Sequence, residues 1–391
     1  MSTVNLRNCT EELLKYTIQS RISETLEFDI GLSEDFCSRL LNSDPCDDPF
    51  PASHSTDSME GVPPHPLYKH LAYALQQSMT SGTFYRTYNR MPMIGTENSL
   101  KQKEHFWQKL ISEKGSEFVN QVLRTIDLEL YVEEPFFSQM KDGLKTIEGR
   151  CATGKYSRIK SGSLILLNEC LLFEVQDVHW YASFSKMLEA EGLAEVLPGV
   201  KSIIEGVEIY RKFYTKEKEM SNGVLAISIS KVDPQPYTYL AAILSGLNYG
   251  GVQGLLGLTN TNGTIEHALP PPRSALVSSF MMPYKIDAEV KGITLTHGAQ
   301  ALAKHAHRCT NKYWGTLNGN DSDKNRRALD VITQLITQCC WLNLHIVPPH
   351  GDVFEIRVAD GYGARWSIDG SKFVGFLEPY VEDGHSTGWK H

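Results

Sequence analysis

Apolar residues fall four apart at the start of the chain: Leu14, Ile18, Ile22 and Leu26 make one stripe, and Thr10 before Glu11 and Glu12 has N-cap chemistry, so the spacing predicts a helix opening at Thr10. A short second helix is expected after Ser33 on Phe36, Leu40 and Leu41. Leu71, Leu75 and Met79 mark a third over 67–79. Ser99 is expected to cap a fourth over 100–111, with Gly115 and Ser116 separating it from a further helix over 118–126. Residues 42–66 carry six prolines and few large apolar side chains, too little burial to offset ordering, and read as a flexible loop.

Beyond residue 128 the pattern changes. Short apolar runs, Leu164-Ile-Leu-Leu167 and Val224-Leu-Ala-Ile-Ser-Ile229, alternate with helical stretches and predict a small α+β barrel. After 232, Pro236 to Leu244 reads as a helix running into the glycines of 246–257. Those glycines form neither G-x-G-x-x-G nor a phosphate loop, and close backbone packing or a hinge is the expectation. Pro270-Pro-Pro272 marks a second linker. A helix is expected over 298–307, then a loop over 318–324 and a helix from Lys324 to about Cys340, capped by Ser322 and carrying Leu329, Ile332, Leu335, Ile336 and Cys339. A strand over 342–347 precedes a hairpin whose arms, 354–358 and 364–368, flank Asp360-Gly-Tyr-Gly363. The fold class expected is therefore α+β in three regions: a helical 1–127, a barrel over 128–232, and an α+β domain over 233–391.

Composition narrows the function. A net charge of −8 over 391 residues argues against bulk, non-specific nucleic-acid binding, so any such contact must be local. Eight cysteines without a C-x-x-C pair are expected to be reduced structural thiols in a reducing compartment. Nowhere do 18 apolar residues run together, and the N-terminus has no apolar signal core. A soluble protein of cytoplasm or nucleus, with no membrane contact and no cofactor, is the expectation.

Positive charge concentrates at one place, where Lys141, Lys145, Arg150, Lys155, Arg158 and Lys160 face only Asp142 and Glu148. A basic, glycine-containing turn beside a buried strand brings N–H groups and cations to a phosphate or carboxylate. Here Gly143-Leu-Lys-Thr-Ile-Glu-Gly-Arg150 matches the G-x-K-x-x-E-x-R signature of the ASCH (activating-signal-cointegrator homology) domain, and the chain over about 131–231 resembles that family. Tyr181-Ala-Ser-Phe-Ser-Lys-Met-Leu188, Leu197-Pro-Gly-Val200, Glu205-Gly206 with Tyr210 and Tyr214, and the strand from Val224 resemble the rest of the domain in order. The resemblance implies a PUA-like β-barrel in a multi-domain eukaryotic protein of plant type that binds RNA or a nucleotide. Lys145, Arg150, Lys155 and Arg158 would hold the anion, Glu148 would orient it, and Tyr181 or Tyr214 would lie near the base. Single-stranded RNA is the favoured partner, with a protein partner possible through the flanking regions.

Two other readings stay open. Some small bacterial ASCH proteins are amidohydrolases on acetylated cytidine, which would make Lys145, Glu148 and Glu205 the catalytic set. Glu148, however, stands where their pattern has a threonine nucleophile, and the expectation leans away from an enzyme. A protein-interaction adaptor is the third reading, favoured by the net acidity. His305-Ala-His307-Arg-Cys309 puts His307 off the face shared by His305 and Cys309, and no metal site is expected. Arg365-Trp366 and Trp389-Lys390-His391 suit base stacking or plain cation–π packing.

Overall fold

Helix α1 (Leu6–Ile22) starts four residues earlier than its apolar stripe suggests. Asn5 takes the capping role, its Oδ1 accepting from Arg7 N at 3.0 Å, while Thr10 sits inside the helix and donates its hydroxyl to Leu6 O at 2.7 Å. The computed structural model describes residues 5–50, 60–84, 98–261, 263–284, 294–308 and 313–379. The short helix expected after Ser33 is α2 (Glu34–Leu41), which Ser33 caps, and α3 (Leu67–Ser81) ends at the left-handed Gly82. Gly115 does not divide the next helix. α4 (Asn98–Thr125) is continuous, because Trp107, Ile111 and Phe118 bury one stripe, a gain that exceeds the cost of about 1 kcal/mol for an interior glycine.

The described chain divides into two compact units, Met1–Thr17 with Glu113–Ala242, and Ile18–Ser112 with Ile243–His391. The helical region expected over 1–127 is thus shared between them.

In the first unit the elements run β1 (Leu128–Leu130), α5 (Phe136–Lys141), β2 (Ile147–Cys151), a 3₁₀ turn (Gly154–Arg158), β3 (Leu164–Leu167), β4 (Leu171–Tyr181), α6 (Phe184–Glu191), α7 (Leu193–Val196), α8 (Ile203–Arg211), α9 (Lys216–Asn222) and β5 (Val224–Lys231). The sheet order is β1-β3-β4-β5-β2, antiparallel except for β1 on β3. A bulge between Val175 and Asp177 bends the long β4, and the sheet curls into a half-barrel. Ile147, Cys151, Phe184, Met187, Leu188, Val196 and Tyr210 fill the hollow. Beyond β5, Gln235 extends the ladder with its side chain, its Oε1 accepting from Leu172 N at 2.9 Å and its Nε2 donating to Leu172 O at 2.8 Å.

After α10 (Pro236–Leu255), whose residues from Ile243 on belong to the second unit, that unit contains α11 (Arg273–Met281), α12 (His297–Arg308), α13 (Asp321–Gln338), β6 (Trp341–Val347), β7 (Gly351–Arg357), β8 (Gly363–Ser367) and β9 (Phe373–Leu377). Asn248 breaks the regularity of α10 at φ 44°. The glycines around it serve close packing: a Cβ on Gly246 would meet Leu110 at 2.3 Å and one on Gly251 would meet Trp107 at 3.1 Å. The strands form an antiparallel meander, β6-β7-β8-β9. Leu342, Leu344, Phe354, Ile356, Ala364 and Trp366 are fully buried on one face, against α11 to α13. The mixed α+β class expected from sequence is the class observed.

Three local expectations change. α13 is capped by Asn320, not Ser322: Asn320 and Asp323 form a reciprocal capping box, and Cys339 lies outside the helix as its C-cap. The Pro270–Pro272 stretch is no exposed linker, since Pro270 and Pro271 are buried. The described flanks of the 42–66 loop are fastened by polar bonds that composition does not reveal. Asp44 accepts from Ser274 N at 3.2 Å, Arg273 pairs with Asp48 at 3.3 Å and donates to Val62 O, and Val62 N donates to Ile336 O at 2.8 Å. Residues 51–59 of that loop lie outside the described residues.

Gly149 lies between the two charged residues of β2, and a Cβ there would come within 2.5 Å of the Tyr210 hydroxyl and 2.8 Å of Met187 Cε. Gly149→Ala is therefore expected to destabilise the first unit by about 2 kcal/mol, measured as a lowered midpoint in urea unfolding.

Candidate functional site

Among the described residues, three glutamates are buried against cations: Glu219 against Arg211, and two others that sit in larger charged clusters, one in each unit. In the first, α5 ends at Gly143 with φ 74°, and the turn that follows sends Lys145 inward just before β2. The Lys145 side chain is 1% exposed and pairs with Glu148 Oε2 at 3.1 Å. Its Nζ also donates to Ile147 O at 2.7 Å and to Val196 O. Three acceptors around one nitrogen match the three donors of an ammonium group. Glu148 Oε1 lies 2.8 Å from Arg150 Nε, and Arg150 Nη2 donates to Tyr131 O at 2.8 Å. Burial pulls Lys145 below its ordinary pKa against the pull of Glu148. Burial would raise Glu148, but Lys145 and Arg150 outweigh it and hold the carboxyl below the usual range.

The sequence-expected residues separate here. Lys145, Glu148 and Arg150 come together, and Tyr214 stacks on Phe184 at 5.5 Å with its hydroxyl toward Arg150. Lys155 and Arg158 are exposed on the adjoining 3₁₀ turn, where Lys155 donates to Glu129 O at 2.7 Å. Tyr156, which sequence reasoning passed over, lies 5.7 Å from both the Arg150 and the Lys155 cation. Tyr181 instead donates to Glu191 at 2.6 Å. Glu205 is exposed at the start of α8, where its carboxylate accepts from Lys201 N at 3.1 Å. Among the described residues, neither of these two bonds reaches the Lys145 cluster.

The second cluster follows from strand register. Asn343 faces Glu355, which faces Arg365, which faces Gly375 across β6 to β9. By two-residue alternation Trp341, Asn343, His345, Glu355, Arg357 and Arg365 share the face opposite the apolar one. Glu355, 3% exposed, accepts from four donors: His345 Nε2 at 3.2 Å, Arg357 Nε at 2.7 Å, and Arg365 Nε and Nη2 at 2.9 and 2.6 Å. Burial alone would raise this carboxyl. The His345 hydrogen bond and the charges of Arg357 and Arg365 prevail and hold it at about 2. Arg357 Nη1 is spent on Gly361 O and Glu378 O. Arg357 Nη2 and Arg365 Nη1 carry no hydrogen bond among the described residues, so two guanidinium edges remain for a ligand. Asn343 pins the neighbouring segment, donating to Thr261 Oγ1 at 2.7 Å and accepting from Thr264 Oγ1 at 2.9 Å.

Sequence reasoning missed His345, Glu355 and Arg357 and reached Arg365 only as half of a stacking pair. Arg365 and Trp366 in fact point to opposite faces, and Trp366 is buried, donating to Leu276 O at 3.1 Å. The available signal was polar residues at period two, Asn343-x-His345 and Glu355-x-Arg357, inside strands otherwise apolar. His305 is held by Glu378 at 2.9 Å, and no group of three metal-ligating side chains occurs among the described residues. Cys309 and the Trp389-Lys390-His391 end lie outside them. The described cysteines are free thiols, and no described helix is long and apolar enough to cross a membrane.

The ASCH domain model matches residues 130–233, and an ASCH domain lies there. The model of the CdiA C-terminal tRNase toxin domain matches residues 286–378, which include the whole of the β6–β9 meander. Among solved structures, the chain is similar to the crystal structure of the hypothetical protein PH0355, at 43% identity over 27% of this chain and 98% of that one with a TM-score of 0.27. It is similar also to the solution NMR structure of protein PF0455 from Pyrococcus furiosus, at 44% identity over 27% of this chain and 97% of that one, with a TM-score of 0.25. No curated protein matches the chain.

Both clusters carry predictions. Lys145→Met leaves Glu148 buried with one cation fewer and is expected to cost about 3 kcal/mol, with Lys145→Met/Glu148→Leu recovering part of it in urea unfolding. Glu355 titrates below its ordinary value of 4.5, so its contribution is complete above pH 4.5 and lost as pH falls toward about 2. The second unit should lose on the order of 3 kcal/mol across that window, and Glu355→Gln should flatten the loss in a thermal-unfolding series against pH.

Proposed function

We propose that this protein binds RNA through its ASCH domain and cleaves RNA on the charged face of β6 to β9. The observation that carries the proposal is the Glu355 carboxylate, shared by His345, Arg357 and Arg365 on that face. At a pKa of about 2 the carboxylate is too weak a base to take a hydroxyl proton efficiently, and it serves to orient His345 and fix the two guanidinium groups. His345 takes the proton from a ribose 2′-hydroxyl. The 2′-oxygen attacks phosphorus, the bond from phosphorus to the 5′-oxygen breaks, and that oxygen is protonated from water. The free edges of Arg357 and Arg365 meet the charge that builds on the non-bridging oxygens. The products are a 2′,3′-cyclic phosphate and a 5′-hydroxyl. The match to a tRNase toxin domain supports a folded RNA such as tRNA as substrate.

In the ASCH domain the RNA contact falls to the exposed Lys155 and Arg158 with the outer edge of Arg150. Lys145, whose donors are all engaged, and Glu148 hold Arg150 in place, and Tyr156 and Tyr214 back it. Single-stranded segments suit so small a set of cations. Holding RNA on the same chain raises its effective concentration at the cleaving unit without further contacts.

Full-length protein incubated with tRNA and with a single-stranded oligoribonucleotide in chelator should yield 2′,3′-cyclic ends. His345→Ala and Arg365→Ala should each slow cleavage about 100-fold. Equal cleavage by wild type and His345→Ala would overturn the assignment. Arg150→Ala/Lys155→Ala/Arg158→Ala should weaken binding and flatten its salt dependence in fluorescence anisotropy, leaving turnover at saturating RNA unchanged.

A further inference from the structure

Trp341 opens β6 directly across from Arg357, so register places its indole on the face of His345 and Arg357. The side chain is 4% exposed, and its ring stands edge-on to His345, centroids 6.1 Å apart at 81°. Its Nε1–H is enclosed and has no hydrogen-bond partner among the described residues. Two other deeply buried indoles of the unit behave differently: Trp314 donates to Glu378 Oε1 at 2.7 Å and Trp366 to Leu276 O at 3.1 Å. A buried donor without an acceptor is costly, and phenylalanine would fill much the same space without that cost.

What surrounds the orphan indicates its acceptor. On that face the arginines keep uncommitted donor edges, Arg357 Nη2 and Arg365 Nη1, while the carboxylate of Glu355 is already occupied by His345 and both arginines. A face that offers donors and whose carboxylate is already taken suits an anionic oxygen and disfavours the donor edge of a base.

We infer that the Trp341 indole N–H is a substrate contact, donating to a non-bridging oxygen of the RNA phosphate that Arg357 engages. The inference rests on the β6–β9 face being the RNA-cleaving site. Trp341 then acts alongside His345 without carrying a proton. It helps hold the phosphate between Arg357 and the imidazole.

The test is Trp341→Phe in the full chain, which keeps a ring and removes the donor, read together with the wild-type indole ¹H–¹⁵N resonances titrated with uridine 3′-phosphate. The expected result is a fall of about tenfold in kcat/KM, the free-energy equivalent of one hydrogen bond to a charged group, with an unchanged pH profile. The melting temperature should be equal to or above that of wild type, because the unpaired donor has gone. The resonance missing from Trp341→Phe should be one that moves in the wild-type titration. Cleavage by Trp341→Phe at the wild-type rate, with that resonance unmoved at saturating ligand, would overturn the inference. A wild type that cleaves no RNA while the resonance still moves would retire the cleavage reading and leave the phosphate contact standing.

Discussion

Burying a carboxylate is the constraint on which both units depend. An ionised glutamate inside a protein is tolerated only when cations and hydrogen bonds replace its water. Among the described residues the demand is met at Glu219 by Arg211 and the Phe184 N–H, at Glu148 by Lys145 and Arg150, and at Glu355 by Arg357, Arg365 and His345. The difference lies in what remains afterwards. Lys145 has an acceptor for every donor and, with Glu148, holds Arg150 in place beneath the basic edge of the half-barrel. Around Glu355 each arginine gives only part of its fork to the carboxylate, and that cluster keeps uncommitted donors.

Under the proposed function, the two arrangements would direct an acidic chain at RNA. Net charge of −8 gives no general attraction to a polyanion, so recognition has to come from a few cations held in fixed geometry. In the ASCH domain these are the exposed cations beside Arg150. On the meander they are guanidinium edges set against a histidine by strand register. The proposed division of labour, one unit holding RNA and the other cutting it, asks only that both domains share a chain.

Much of the fold was legible in the residues. The apolar stripe of α3, the hairpin around Asp360-Gly-Tyr-Gly363 and the G-x-K-x-x-E-x-R segment announced themselves through spacing, because helical and strand periodicity follow from which face a local stretch must bury. Errors gathered at element ends and in loops. Thr10 and Ser322 have N-cap chemistry, but Asn5 and Asn320 do the capping, since several polar residues near a helix start compete and the register of the buried stripe decides among them. The proline-rich loop looked unanchored because its fastenings, Asp44 to Ser274 and Asp48 to Arg273, join residues more than 200 positions apart.

By itself the sequence determined the α+β class, the ASCH resemblance over about 131–231, and the residues able to carry charge at the basic turn, all of which depend on neighbours within one element or one motif. Tertiary structure alone decided that Lys145 is interior and saturated while Lys155 and Arg158 face solvent, for burial depends on what α7 and β2 bring against a side chain. It alone set His345, Glu355, Arg357 and Arg365 on one face. Those four residues belong to three strands, and only hydrogen-bond register between strands makes them neighbours.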